Sequence, residues 1–260
     1  MTSGAYFASS PDGFVPQPEA HGPWSQDMLH GRLLGGLAAR AIERVAGAPE
    51  LVAVRLTVDL FRPAPMQPVA VRAELVRDGR RIRVADAVMT VGGHDVARAS
   101  AVLLRRGEPP PGRVWQPEPW SVPHPDTLPD RDLGEVEPSS WSLRTVSGGF
   151  GTGERARTWT WDRAPLVDDE PLSPFVRAAV SADLASPLAN SSDDGLHYIN
   201  ADYALTMARE PVGPWIGLET AQHLAAEGVA LGICTLYDLD GPFGTSTTTA
   251  LVNPPLRPPS

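Results

Sequence analysis

Apolar and polar positions recur along this chain with two periods, and the changes of period mark its elements. Over residues 28–45 the apolar positions Leu33, Leu34, Leu37, Ala38, Ile42 and Val45 have helical spacing. They predict one long helix ending near Gly47. Four strand-like runs follow at 51–61, 69–77, 81–91 and 95–104, parted by Pro63 and Pro65, by Asp78-Gly79 and by Gly92-Gly93. Farther on, 141–146 and 155–161 read as strands. Residues 173–186 read as a second helix, with Ser173 as its N-cap and Pro174 in the first helical position. Strand-like runs then cover 198–207, 215–223, 228–237 and 244–252, and a short strand is expected near 5–8. Between the halves, residues 108–138 carry prolines too densely for a helix or a central strand. They read as an extended surface connection, and 255–259 as a frayed tail.

The two halves repeat one another. LTVDLFRPAP at 56–65 lies over YALTMAREPV at 203–212, which sets Arg62 over Arg209. Asp78-Gly79 lies over Glu227-Gly228, and Leu103-Leu104 over Leu251-Val252, so the offsets are 147, 149 and 148. Turn spacing agrees as well as element order. The expected organisation is one repeat over 1–107, a proline-rich linker over 108–138 and a second repeat over 139–260. Each repeat is a long helix followed by an antiparallel run of strands, an α+β unit too thin to bury its helix alone.

Composition narrows the chemistry. The 260 residues carry 22 basic and 31 acidic side chains, a net charge of -9, and every basic residue is arginine. Without lysine there is no Schiff-base amine and no phosphate-loop lysine. The acidic balance argues against a nucleic-acid partner. A lone Cys234 excludes a disulfide framework and suits a reducing, cytoplasmic setting. No run approaches a membrane span, and residues 1–24 lack the pattern of a signal peptide. The glycine-rich 147–153 leads into a strand and lacks a lysine, so nucleotide binding is rejected there. There is no Gly-x-Ser-x-Gly elbow, and the six histidines show no metal-ligand spacing.

The segments HGRLLGGLAARAIERV, LTVDLFRPAP, NADYALTMAREPVGPWIGLE and DLDGPFGTSTTTALV resemble the acyl-CoA thioesterase II-type double hotdog proteins, particularly their actinobacterial members. The likeness extends over about residues 24–252. It implies two helices wrapped by one curled antiparallel sheet, hydrolysis of acyl-CoA thioesters without a cofactor, and arginines at the rim for the phosphates of coenzyme A. In that family a helix Asp works with a hydroxyl or amide at the start of the next strand and a Gln on the last strand. Here the Asp matches Asp183 and the strand position matches Asn200. The Gln is absent, its place being taken by Thr248 or, on a gapless count, Thr249. Only one of these neighbours can face the site, and Thr248 is preferred.

The residues themselves weigh each role against a plainer one. Asp183 lies seven residues after Val176, on an otherwise apolar helix stripe where a carboxylate is costly without a task or partners. Its plainer role is a cap. The equivalent position in the first repeat is Gly35, and the nearby Glu43 reads as part of a solvated face with Arg40 and Arg44. Asn200 could instead cap a strand entry, and the threonines could simply favour strands. Gly35 and Gly36 inside the first helix mark a close approach by substrate or by the other helix. His30 before that helix is a candidate substrate contact or a structural residue. Hydratase chemistry on this fold normally pairs an Asp with a nearby His, and no helix of the second half contains one. The competing class is an acyl-CoA-binding protein with a decayed site. Exposed sheet edges leave room for a homo-oligomer, a dimer or higher.

Overall fold

The structure is a computed structural model that describes residues 4–116, 120–131, 140–168 and 170–256. Parts of the proline-rich connection (117–119 and 132–138) and the tail from 257 onward lie outside the described residues.

The chain opens with a hairpin of β1 (Phe7–Ser10) and β2 (Gly13–Pro16), then a small ribbon of β3 (His21–Gly22) and β4 (Ser25–Leu29). The long helix α1 (Gly31–Ala46) follows, then β5 (Leu51–Leu60), β6 (Val69–Asp78), β7 (Ile82–Val91) and β8 (His94–Arg105). The second half begins with β9 (Trp141–Ser147) and β10 (Arg157–Asp162). Its helical segment is split into α2 (Pro174–Ala182) and α3 (Ala185–Asn190). After β11 (Ser191–Ser192) and β12 (Gly195–Asn200) come β13 (Asp202–Met207), β14 (Ile216–Ala226), β15 (Val229–Asp238) and β16 (Gly241–Leu256).

The main strands form one antiparallel sheet in the order β1-β2-β6-β7-β8-β5-β13-β16-β15-β14-β10-β9. Its seam is β5 against β13, with Leu56 opposite Leu205 and Val58 opposite Tyr203. Reading outward from that seam, β5-β8-β7-β6 on one side repeats as β13-β16-β15-β14 on the other, and each set is flanked by a two-strand edge. This is the double hotdog architecture, with all three helices packed into one core between the arms of the curled sheet.

Helix α1 fits its sequence closely. Leu33, Leu37 and Ile42 are fully buried, and no proline interrupts its ladder. Arg40 departs from the expected solvated face, whereas Arg44 lies on it. Arg40 is buried, gives two hydrogen bonds to Glu170 Oε2 (2.6 and 3.0 Å), and lies over the Phe14 ring.

The second helix departs further, and Pro187 explains how. A proline has no N–H for the carbonyl four residues back, and its ring crowds that carbonyl. The residue four back is Asp183. Its carbonyl takes the Ser186 N–H instead (3.1 Å), and the axis breaks at Asp183-Leu184. The freed carbonyls find donors in the sheet below. Tyr203 Oη reaches Ala179 O (3.0 Å), Ser246 Oγ reaches Ala182 O (2.8 Å), and Thr220 Oγ1 reaches Leu188 O (3.2 Å).

Within the connection, Trp120 stacks on Tyr237 with centroids 4.3 Å apart and tilts against Trp159, over the bare backbone of Gly217. Residues 120–131 therefore lie along the second half, where Pro125 O accepts from Arg144 Nη1 at 2.7 Å.

Candidate active site

The helix break carries Asp183 to the start of α1. Its carboxyl is buried, and Oδ1 accepts a hydrogen bond from Asn200 Nδ2 at 2.8 Å. The backbone N–H of Arg32, in the first turn of α1, also donates to it. Gly31 backs onto both carboxylate oxygens, since a Cβ built there would stand 3.8 and 3.9 Å from them. His30 Nδ1 is 3.8 Å from Oδ2, with its imidazole edge-on to Trp141. The first half thus supplies a helix N-terminus and an imidazole, and the second half supplies the acid and the amide. The partial positive charge of the α1 terminus favours a carboxylate at that point.

These surroundings set the protonation states. Burial pushes the Asp183 carboxyl above the ordinary carboxylate range, and the Asn200 amide, the Arg32 charge and the Arg32 N–H draw it back part of the way. Burial, with the charges of Arg32 and His21, holds the His30 imidazole well below its usual value. Near neutral pH that ring is uncharged. The Gly31 N–H is not spent on any backbone carbonyl among the described residues, so it stands beside the acid as an available donor.

Behind this group lies a buried ionic cluster that periodicity alone gave no reason to single out. Arg32 Nη1 donates to Asp162 Oδ1 at 2.5 Å and Nη2 to Tyr6 Oη at 3.0 Å, while Tyr6 Oη donates to Asp162 Oδ1 at 2.8 Å. Arg32 falls one residue after Gly31 in a helix start, where an arginine normally reaches solvent. Only the packing of β10 and residue 6 around it makes it internal.

The two threonines of β16 differ in facing. Thr248 faces inward from β16 and is fully buried, whereas Thr249 points outward and uses its N–H on Asp202 Oδ1. Thr248 Oγ1 lies beside Gly232 and the end of α3 and has no hydrogen-bond partner among the described residues. On the same face of β16, Ser246 two residues earlier donates to Ala182 O, and Ala250 two residues later pairs with Asn200. Gly35 and Gly36 serve packing. A Cβ on Gly35 would overlap the Tyr203 hydroxyl, and one on Gly36 would come within 2.7 Å of Val180. The absence of a histidine in the second half's helices proves a poor guide, because the structure brings His30 across from the first. Among the described residues, no three His, Cys, Asp or Glu side chains gather closely enough to hold a metal ion. No described helix is long and apolar enough to cross a membrane.

Sequence and structure comparisons point in one direction. The sequence model of the acyl-CoA thioesterase N-terminal domain matches residues 20–104, and that of the C-terminal domain matches 116–252. No curated protein matches the chain. Among solved structures, the tesB protein of Mycobacterium avium subspecies paratuberculosis is 17% identical with a TM-score of 0.67, over 93% of each chain. A hot dog fold protein from Alicyclobacillus acidocaldarius gives 18% and 0.69, over 92% of each. The acyl-CoA thioesterase II TesB2 of Mycobacterium marinum gives 20% and 0.64, over 86% of this chain and 90% of the other.

Proposed function

Since the chain belongs to the acyl-CoA thioesterase family through both of its halves, we propose that it hydrolyses acyl-CoA thioesters with Asp183 as the base that activates water. Family membership supports thioesterase chemistry in general. The observation that carries the finer reading is the meeting of a buried carboxylate with an available helix-terminal N–H. Water attacks the thioester carbonyl carbon as Asp183, oriented by Asn200, takes its proton. The negative charge that develops on the carbonyl oxygen is met by the Gly31 N–H and the dipole of α1. Collapse of the intermediate breaks the C–S bond, and the thiolate of coenzyme A leaves and takes up the proton. A carboxyl held above its ordinary range is a stronger base than an exposed one, which suits work near neutrality. Thr248, on the inward face of β16, keeps its place as a hydroxyl that assists, and the outward-facing Thr249 has no part in this reading.

The test is thiol release from short, medium and aromatic acyl-CoA esters. Wild type is expected to turn over at least one of them, and Asp183→Asn to lose about 10²–10⁴-fold in kcat. Turnover that Asp183→Asn leaves intact would overturn the site. Tight binding of every ester with no turnover would favour the decayed, acyl-binding alternative.

The closeness of His30 to Asp183 favours one second reading, addition of water to the double bond of an enoyl thioester. Loss of the enoyl absorbance without thiol release would single it out.

A further inference from the structure

We propose that Arg32, gripped by Asp162 and Tyr6, is a positioning residue that holds the first turn of α1, and His30 before it, against Asp183. The proposal rests on the reading of Asp183 as the site's base.

Arg32 is 2% exposed and comes from the first half, while Asp162 comes from β10 of the second and Tyr6 from the start of the chain. Its guanidinium lies 4.4 Å from the Trp141 ring centroid and 5.2 Å from that of Tyr6, so its reach and its plane are both fixed. Stability is a poor account of this cluster. Burying an ion pair costs as much as it returns unless every polar atom is matched, and among the described residues Arg32 Nε and Asp162 Oδ2 find no hydrogen-bond partner. The cation is nevertheless kept one turn of backbone from the acid, and its own N–H lies on that acid.

One buried cation acts on two neighbours in opposite senses of use. It favours the charged form of Asp183 and the uncharged form of His30, which gives a base beside a neutral imidazole. The other groups facing Asp183 are Asn200 of β12 and Tyr203 of β13, with His21 of β3 beside His30. Behind Arg32 stand Asp162 and Tyr6, and Arg177 of α2 also feels the Asp162 charge. Asp162 therefore tempers the field that Arg32 exerts on the site.

The sign of each variant follows. Asp162→Asn leaves the Arg32 cation untempered, so the acid limb of the kcat/KM–pH profile should move about one unit to lower pH. Arg32→Gln removes the cation, and the limb should move about one unit to higher pH. Arg32→Lys should bring the limb back toward wild type while kcat stays depressed, because the charge returns without the fork. Carbon-detected NMR titration of the Asp183 carboxyl in the full chain reads the same shifts without turnover. Should Arg32→Gln not fold, the near-isosteric Asp162→Asn decides by itself. Folded variants whose Asp183 titration stays in place, or whose limbs move in the same direction, would overturn the proposal. A wild type that releases no thiol overturns the thioesterase reading, and the NMR titration still decides the role of Arg32.

Discussion

The two halves share one architecture and differ in how each helix meets its sheet. Under the unbroken α1, the inward rows are apolar: Ala97, Ala99, Ala101 and Leu103 on β8, and Ala85, Ala87, Met89 and Val91 on β7. Under the broken α2–α3, β16, the counterpart of β8, carries Ser246 and Thr248, and the flanking β13 and β14 add Tyr203 and Thr220. A continuous helix satisfies its own carbonyls and needs only a greasy bed, whereas a broken one exposes carbonyls that the bed must answer with donors. The lesson concerns division of labour. The first half offers a helix terminus, which is useful because its helix is intact. The second offers a side chain at a kink, which is useful because its helix is not.

Asp183→Asn should separate the halves most strongly, through the loss of turnover given above together with a gain in stability at neutral pH. The sign runs through burial. A carboxyl whose folded value is raised binds its proton more tightly when folded, so its stabilising contribution is lost as pH rises from the ordinary carboxylate range through the raised one. Asparagine carries no such penalty. Thermal melts from pH 3 to 8, roughly the span over which a buried carboxyl titrates, should show the variant gaining on wild type as pH rises. Equal dependence on pH in both proteins would contradict the burial argument.

Pro187→Ala should make the second half more like the first. It restores the N–H that the Asp183 carbonyl lacks, and a helix that straightens draws the carboxyl away from Gly31. A fall of about tenfold in kcat, with the fold kept, is expected from a small misplacement of a reacting group. Unchanged kcat in a helix shown by crystallography to be continuous would break the link between kink and chemistry.

The smallest effects concern the bed itself. Ser246→Ala removes a donor from Ala182 O and should cost about 1 kcal/mol in chemical denaturation. Thr248→Val removes a buried hydroxyl that answers no carbonyl, so it should be neutral or stabilising by up to about 1 kcal/mol. Equal losses in the two variants would mean that these hydroxyls matter for shape and not for the carbonyls above them.

Much of this was legible beforehand. The strand runs of the first half fall within a residue or two of their positions, because turn residues and alternation are local signals. The repeat sets Leu56 over Tyr203 and Val58 over Leu205, and in the sheet these positions pair crosswise, Leu56 with Leu205 and Val58 with Tyr203. Asp183 stood out as a charge on an apolar stripe, and Asn200 as its partner came through resemblance. The kink in the second helix is not a matter of apolar spacing: Pro187 acts four residues upstream, and the helical segment runs to Asn190 where the spacing ends it at 186.

Sequence alone determined the repeated unit, the long first helix and an acid set on an apolar helix stripe, because each depends on residues close in the chain. Tertiary structure alone decided that this acid would face the other repeat. The meeting of His30 with Asp183 and of Arg32 with Asp162 joins positions more than 100 residues apart, through the closure of one sheet about its β5–β13 seam. Periodicity reports which face of an element is buried. Which element arrives to bury it is set by how two copies of a thin unit cover one another.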